Sequence, residues 1–129
     1  MGFKLTKADL KKSALCTPGM HSFTLVKVNE PYLKEGKNGP TTVQQCDFES
    51  AEGYVVPVWF NTVVMSNLFE FVAAADNVVF DMEKFEDVDI ELKDYVGKKV
   101  AASVSHRVDN NNKPQAQIDN FYSADKVPF

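Results

Sequence analysis

The sequence predicts a mostly β domain: five short strands rolled into a barrel, with one helix inserted between the third and fourth. Three observations carry this expectation. Within residues 53–76 the hydrophobic period changes from two to 3.6, so a strand hands over directly to an amphipathic helix. Four further period-two segments flank this unit, two before and two after. The first of them changes phase midway, the mark of a bulge that bends a strand.

Residues 1–18 read as an N-terminal extension. Thr6-Lys7-Ala8-Asp9 resembles a capping box with Asp in place of Glu or Gln, and opens a short helix to about Ala14 that Pro18-Gly19 stops. Leu10, Ala14 and Leu15 are available for packing, with Lys7, Lys11 and Lys12 as a solvated face. The first strand covers residues 20–28. Phe23 and Leu25 share one face and Val26 and Val28 the other, and such bulges help small barrels close. A loop holding Tyr32, Lys34 and Lys37 follows, with turn chemistry at Asn38-Gly39-Pro40.

The second strand covers residues 42–51, with Cys46 and Phe48 inward and Gln45, Asp47 and Glu49 outward. Glu52-Gly53 turns into the third strand. There Tyr54, Val56, Val58 and Phe60 face the core, and Val55, Pro57 and Trp59 face out. Pro57 has no ladder donor, which places this strand near a sheet edge or gap. The helix covers residues 63–75, with Val64, Leu68, Phe71, Val72 and Ala75 on one face and Asn61 or Thr62 as its cap.

Residues 77–95 are acidic and weakly periodic. One helical turn over residues 89–95 brings Leu92 and Tyr95 to the core. Gly97-Lys98-Lys99 turns into the fourth strand, where Val100, Ala102, Val104 and Val108 alternate with Lys99, Ala101, Ser103, Ser105 and Arg107. The DNNNKP turn, holding Lys113, leads to a fifth strand through Ala116, Ile118 and Phe121. Residues 122–129 are a tail ending in Val127, Pro128 and Phe129.

At 129 residues and 44% hydrophobic content the chain is one domain, residues 19–121, with its two extensions. No apolar run approaches the roughly 20 residues of a membrane span, and the N-terminus lacks a signal-peptide core, so no membrane partner is expected. Two cysteines suit a reducing compartment, the cytoplasm, with Cys46 a buried free thiol. The net charge of -4 is unevenly spread. Residues 76–95 carry eight acids against two lysines, net -6, which leaves +2 elsewhere; residues 1–46 hold seven lysines against three acids. A basic surface is therefore compatible with an acidic chain.

Five strands with a helix between the third and fourth is the arrangement of the OB-fold, a partly open Greek-key barrel. A β-sandwich, the rival, needs about seven strands. In an OB-fold, ligands lie across strands two and three, between the loops joining strands 1–2 and 4–5. Here those loops are LKEGKNGP and DNNNKPQ, both polar and lysine-bearing.

Three features resemble the small OB-fold single-stranded DNA-binding proteins of bacteriophages, over roughly residues 19–129. They are an early strand followed by a GKNG-type loop and a strand hairpin, the LKDYVGKKV entry to the fourth strand after an acidic segment, and the DKVPF tip. The resemblance implies sequence-tolerant binding of single-stranded DNA during replication or recombination, in the host cytoplasm if phage-encoded. It also implies recruitment of a polymerase, helicase or recombinase through Val127, Pro128 and Phe129. A homo-oligomer is compatible with it.

Trp59, facing outward, is the expected stacking platform, worth about 1–3 kcal/mol per base. Covering an apolar patch under the N-terminal helix is its competing role. Tyr32 is a second platform, unless it packs on its own hairpin. Lys34, Lys37, Lys99, Arg107 and Lys113 are expected on or beside the same groove, where they meet phosphates without reading sequence. Catalysis is not expected. His21 and His106 lack zinc spacing with Cys16 or Cys46, and neither a Gly-rich phosphate loop nor a serine nucleophile motif is present. The acids of residues 76–95 lack the pattern of a calcium loop and read as a solvated face, so no metal or cofactor is expected. The alternative function is an OB-fold interaction module that recruits replication or recombination enzymes.

Overall fold

The computed structural model describes residues 2–7, 10, 14–37, 39–63, 65–78 and 89–124. Six strands form one antiparallel sheet: β1 (Gly19–Val28), β2 (Tyr32–Gly36), β3 (Gly39–Ser50), β4 (Val55–Asn61), β5 (Lys99–Val108) and β6 (Pro114–Ser123). Helix α1 (Ser66–Asp76) follows β4, and a 3-10 turn (Leu92–Tyr95) leads towards β5. None of the helices among the described residues is long and apolar enough to cross a membrane.

β1 is the pivot. Its first half pairs with β5, from Gly19↔Val104 to Thr24↔Lys99, and its second half with β3, from Phe23↔Ser50 to Val28↔Cys46. The register shifts between Leu25 and Lys27, where the hydrophobic phase changes. The bulge lets one strand serve both halves of the sheet. β4 adds to the far side of β3 and β6 to the far side of β5.

The sheet is curled but not closed. No hydrogen-bonded ladder joins β4 to β6, although the two strands approach each other. Side chains fill the seam. Phe71 of α1 is fully buried, its ring centroid 5.2 Å from Phe48, 5.8 Å from Phe60 and 5.3 Å from Phe121. Glu70, its neighbour, accepts the backbone N–H of Phe121. The helix thus covers the seam between the ends of β4 and β6, and Leu92 and Tyr95 complete the core beneath it.

Several elements differ from expectation. The described residues form six strands, not five, because the first loop is itself a strand, β2. The segment folds back on β3 through a tight turn between Gly36 and Gly39, with Gly39 at φ 106°, a conformation that favours glycine. All five β2 residues are exposed, so the strand has no buried face to imprint an alternation. The expected barrel remains open at the β4–β6 seam, where Pro57 cannot donate and Glu70 occupies a β6 donor. α1 begins at Ser66 rather than at residue 63, and its N-cap is Met65, with no side-chain cap bond. Asn61 instead accepts the Val63 N–H through Oδ1 at 3.0 Å, a local turn that ends β4. β6 continues to Ser123, so Tyr122 and Ser123 belong to the sheet and not to the tail.

Leu10 donates to the Thr6 carbonyl at 3.1 Å, one helical turn, and is 62% exposed. The rest of the expected N-terminal helix, most of the acidic segment, and Val127, Pro128 and Phe129 lie outside the described residues. Both histidines anchor the chain where it enters β1. His106 Nε2 lies 2.6 Å from the Cys16 carbonyl, and buried His21 reaches the Thr17 carbonyl (2.7 Å) and Glu52 Oε2 (3.3 Å). Burial alone would raise the Glu52 carboxyl; hydrogen bonds from its own backbone, His21 and Ser50 outweigh it and hold it below its ordinary value.

Candidate functional site

The outer face of β2, β3 and β4 follows from register. Opposite residues share a face, so Tyr32, Val43 and Asn61 form one row across the three strands, Lys34 and Thr41 the next, and Gln45 with Trp59 the row on the other side. The inner face takes Cys46, Phe48, Val56 and Phe60, all buried. Val43 is out of phase with Cys46 and Phe48, yet only 5% exposed. It is the floor of a groove on the outer face.

That groove, of about 430 Å³, is lined by Tyr32, Lys34, Glu35 and Gly36 of β2, Thr41 and Val43 of β3, Trp59 and Asn61 of β4, and Arg107 of β5. Trp59 is 43% and Tyr32 47% exposed, so each offers an accessible ring beside an apolar floor. From strand spacing and rise their Cα atoms stand roughly 12 Å apart, enough to engage separate planar groups. Lys34 and Arg107 supply positive charge from opposite walls.

The Arg107 wall is the β5–β6 hairpin, and Asp109 shapes its turn. Oδ1 accepts from the backbone N–H groups of Asn111 and Lys113, each at 2.9 Å, and Oδ2 from the Gln115 amide at 3.2 Å. Asn112 takes the left-handed conformation at φ 64° that the tight turn needs. The Lys113 backbone bond, with those of Asn111 and Gln115 and the charge of Arg107, holds the Asp109 carboxyl below its ordinary value despite slight desolvation.

Of the residues expected from sequence, Tyr32, Lys34, Trp59 and Arg107 meet in this one groove. Lys37 lies in the β2–β3 turn next to Gly36, and Lys113 in the β5–β6 turn, so each sits on the hairpin that forms a wall rather than in the lining. Lys99 does not join them. It stands opposite Thr24 at the start of β5, eight residues and roughly 26 Å of strand from Arg107. The N-terminal segment lines a different cleft, with Val55, Val56 and Pro57, so the described part of the extension sits beside the groove and leaves Trp59 in it.

Glu35, Gly36, Thr41, Val43 and Asn61 were not foreseen. Val43 had a readable signal: it is the one apolar residue of its strand that breaks phase with Cys46 and Phe48. Both thiols are buried and free. Burial, with help from Asp47, pushes the Cys46 thiol up to about 12; burial, with Glu52, pushes that of Cys16 up to about 11. They are protonated core groups at neutral pH. Among the described residues no cluster of three His, Cys, Asp or Glu side chains is placed to hold a metal ion. No protein-family model matches this chain, and no curated protein matches it.

Proposed function

We propose that the groove binds single-stranded DNA without reading its sequence, and that the protein protects or organises replication or recombination intermediates. The observation that carries this is the meeting of Tyr32, Trp59, Lys34 and Arg107, drawn from three separate segments of the chain, on one outer face. Two accessible rings over an apolar floor suit stacked bases of any identity. Cations on both walls suit phosphates. Stacking on these rings needs unpaired bases, which a single strand presents and a duplex does not.

The fold reading that accompanies this is an OB-fold of the bacteriophage single-stranded DNA-binding type. It is supported by a bulged first strand shared between both halves of the sheet, by a helix following β4 that caps the β4–β6 seam, and by a groove between the β2–β3 and β5–β6 hairpins. The phage assignment, and recruitment of a polymerase, helicase or recombinase by the C-terminal tip, rest on the sequence features alone. The proposal is tested by comparing oligo(dT) with a duplex of equal length in a filter-binding or anisotropy titration. Strong preference for the single strand supports it, and equal affinity overturns it.

A further inference from the structure

We propose that two copies of this chain join edge to edge through β2, with Leu33 opposite Glu35 of the second copy, and that a single strand lying along both grooves drives the pairing. β2 ends the sheet and is hydrogen-bonded on one side, to β3. Its five residues are exposed, Leu33 by 73%.

The direction of its backbone groups can be read from its neighbour. Thr42, opposite Leu33, donates its N–H to Thr62 Oγ1 at 3.2 Å and accepts the Thr62 N–H at 3.1 Å, so both its groups face β4. Leu33↔Thr42 is therefore a non-hydrogen-bonded pair, and the Leu33 N–H and C=O point away from β3. Two residues on, Glu35 does the same, in agreement with its partner Pro40, which has no N–H to offer. Among the described residues nothing bonds these outward groups. An edge with two donors and two acceptors is a template for another strand.

This edge fits a copy of itself. Antiparallel pairing with Leu33 opposite Glu35 of the second copy uses every outward group of both residues in both copies. The neighbouring register, Leu33 opposite Leu33, sets Glu35 against Pro31, which leaves the Glu35 carbonyl without a donor. In the first register the Tyr32 ring meets Gly36 of the second copy, where no side chain obstructs it. The two-fold axis stands normal to the sheet, so both grooves open on the same side and become one continuous surface.

One contact opposes the pairing. Lys34 comes opposite Lys34 of the second copy, with Cα atoms roughly 4.5 Å apart, and like charges directly opposite are unfavourable. Both ammonium groups lie on the groove face, so a phosphate placed between them removes the repulsion. Charge on an edge strand is how free edges are kept apart, and here the binding of a polyanion releases that block. This linkage rests on the nucleic-acid reading of the groove; the edge geometry does not.

The test is sedimentation velocity on the full chain, with and without oligo(dT), together with Trp59 fluorescence. The native protein is expected to be monomeric alone. On an oligo(dT) long enough for two copies, the second copy should bind about tenfold more tightly than the first. Lys34→Met should pair without DNA. Leu33→Pro removes the outward N–H and no bond to β3, so it should bind the long strand without cooperativity, and the Leu33→Pro, Lys34→Met double variant should return to monomer. A Lys34→Met protein that stays monomeric at high concentration, or a double variant that still pairs, overturns the edge assignment. If oligo(dT) does not bind at all while Lys34→Met pairs, the edge stands and the nucleic-acid reading falls.

Discussion

Glu70 of α1 accepts the backbone N–H of Phe121 on β6, where a closed barrel would have a neighbouring strand. Phe71, the next residue, fills the same seam from inside. One helical turn therefore supplies both the hydrogen bond and the packing that a β4–β6 ladder would have provided. Glu70→Ala leaves a buried donor unpaired, which costs about 1–3 kcal/mol. A thermal melt should fall by several degrees, and Glu70→Gln, whose amide oxygen still accepts, should recover most of the loss.

Phe71→Ala opens a cavity among Phe48, Phe60 and Phe121. Truncations of this kind cost about 3–5 kcal/mol, a large share of the stability of a domain this size. The urea midpoint should fall sharply.

Much of this core was legible in the sequence because each buried residue left a periodic trace. The alternation through Val56 and Phe60, the helical spacing of Phe71 and Val72, and the phase slip after Leu25 each mark a face with an inside and an outside. β2 left no such trace, since both of its faces meet solvent; its only signals were the glycines of its turn. The open seam was half legible: Pro57 marked an edge, while the Glu70 bond to Phe121 spans 51 residues and has no local signature. In the groove, Trp59 and Arg107 could be named from strand parity, while Tyr32 and Lys34 were named only as residues of a loop that the fold turns into β2. Lys99 was misplaced because parity gives a face but not a position along the strand.

The two thiols make a pH prediction. Their folded values lie near 11 and 12, above the unfolded value of about 8.5. A raised value means that the native state holds these protons more tightly, so the stability they contribute is complete below about pH 8.5 and is lost as pH rises towards the folded values. The urea midpoint should decline through that alkaline window. At pH 8, a thiol reagent should leave Cys16 and Cys46 unmodified in the native protein and react with both in denaturant.

Salt dependence separates the cations. Each phosphate neutralised on a single strand adds about -0.7 to the slope of log affinity against log salt. Lys34→Gln and Arg107→Gln should each weaken oligo(dT) binding and make that slope shallower by about 0.7. Lys99→Gln should change neither quantity, because Lys99 lies at the opposite end of β5.

Trp59 is the protein's one tryptophan, and it lines the groove. Its fluorescence therefore reports on the site without any label. Titration with oligo(dT) should quench it saturably, and Trp59→Ala should weaken binding by about 1–3 kcal/mol as measured by anisotropy of labelled DNA. Unchanged Trp59 emission at saturating oligo(dT), or full affinity in Trp59→Ala, would contradict the assignment of this groove as the site of single-strand binding.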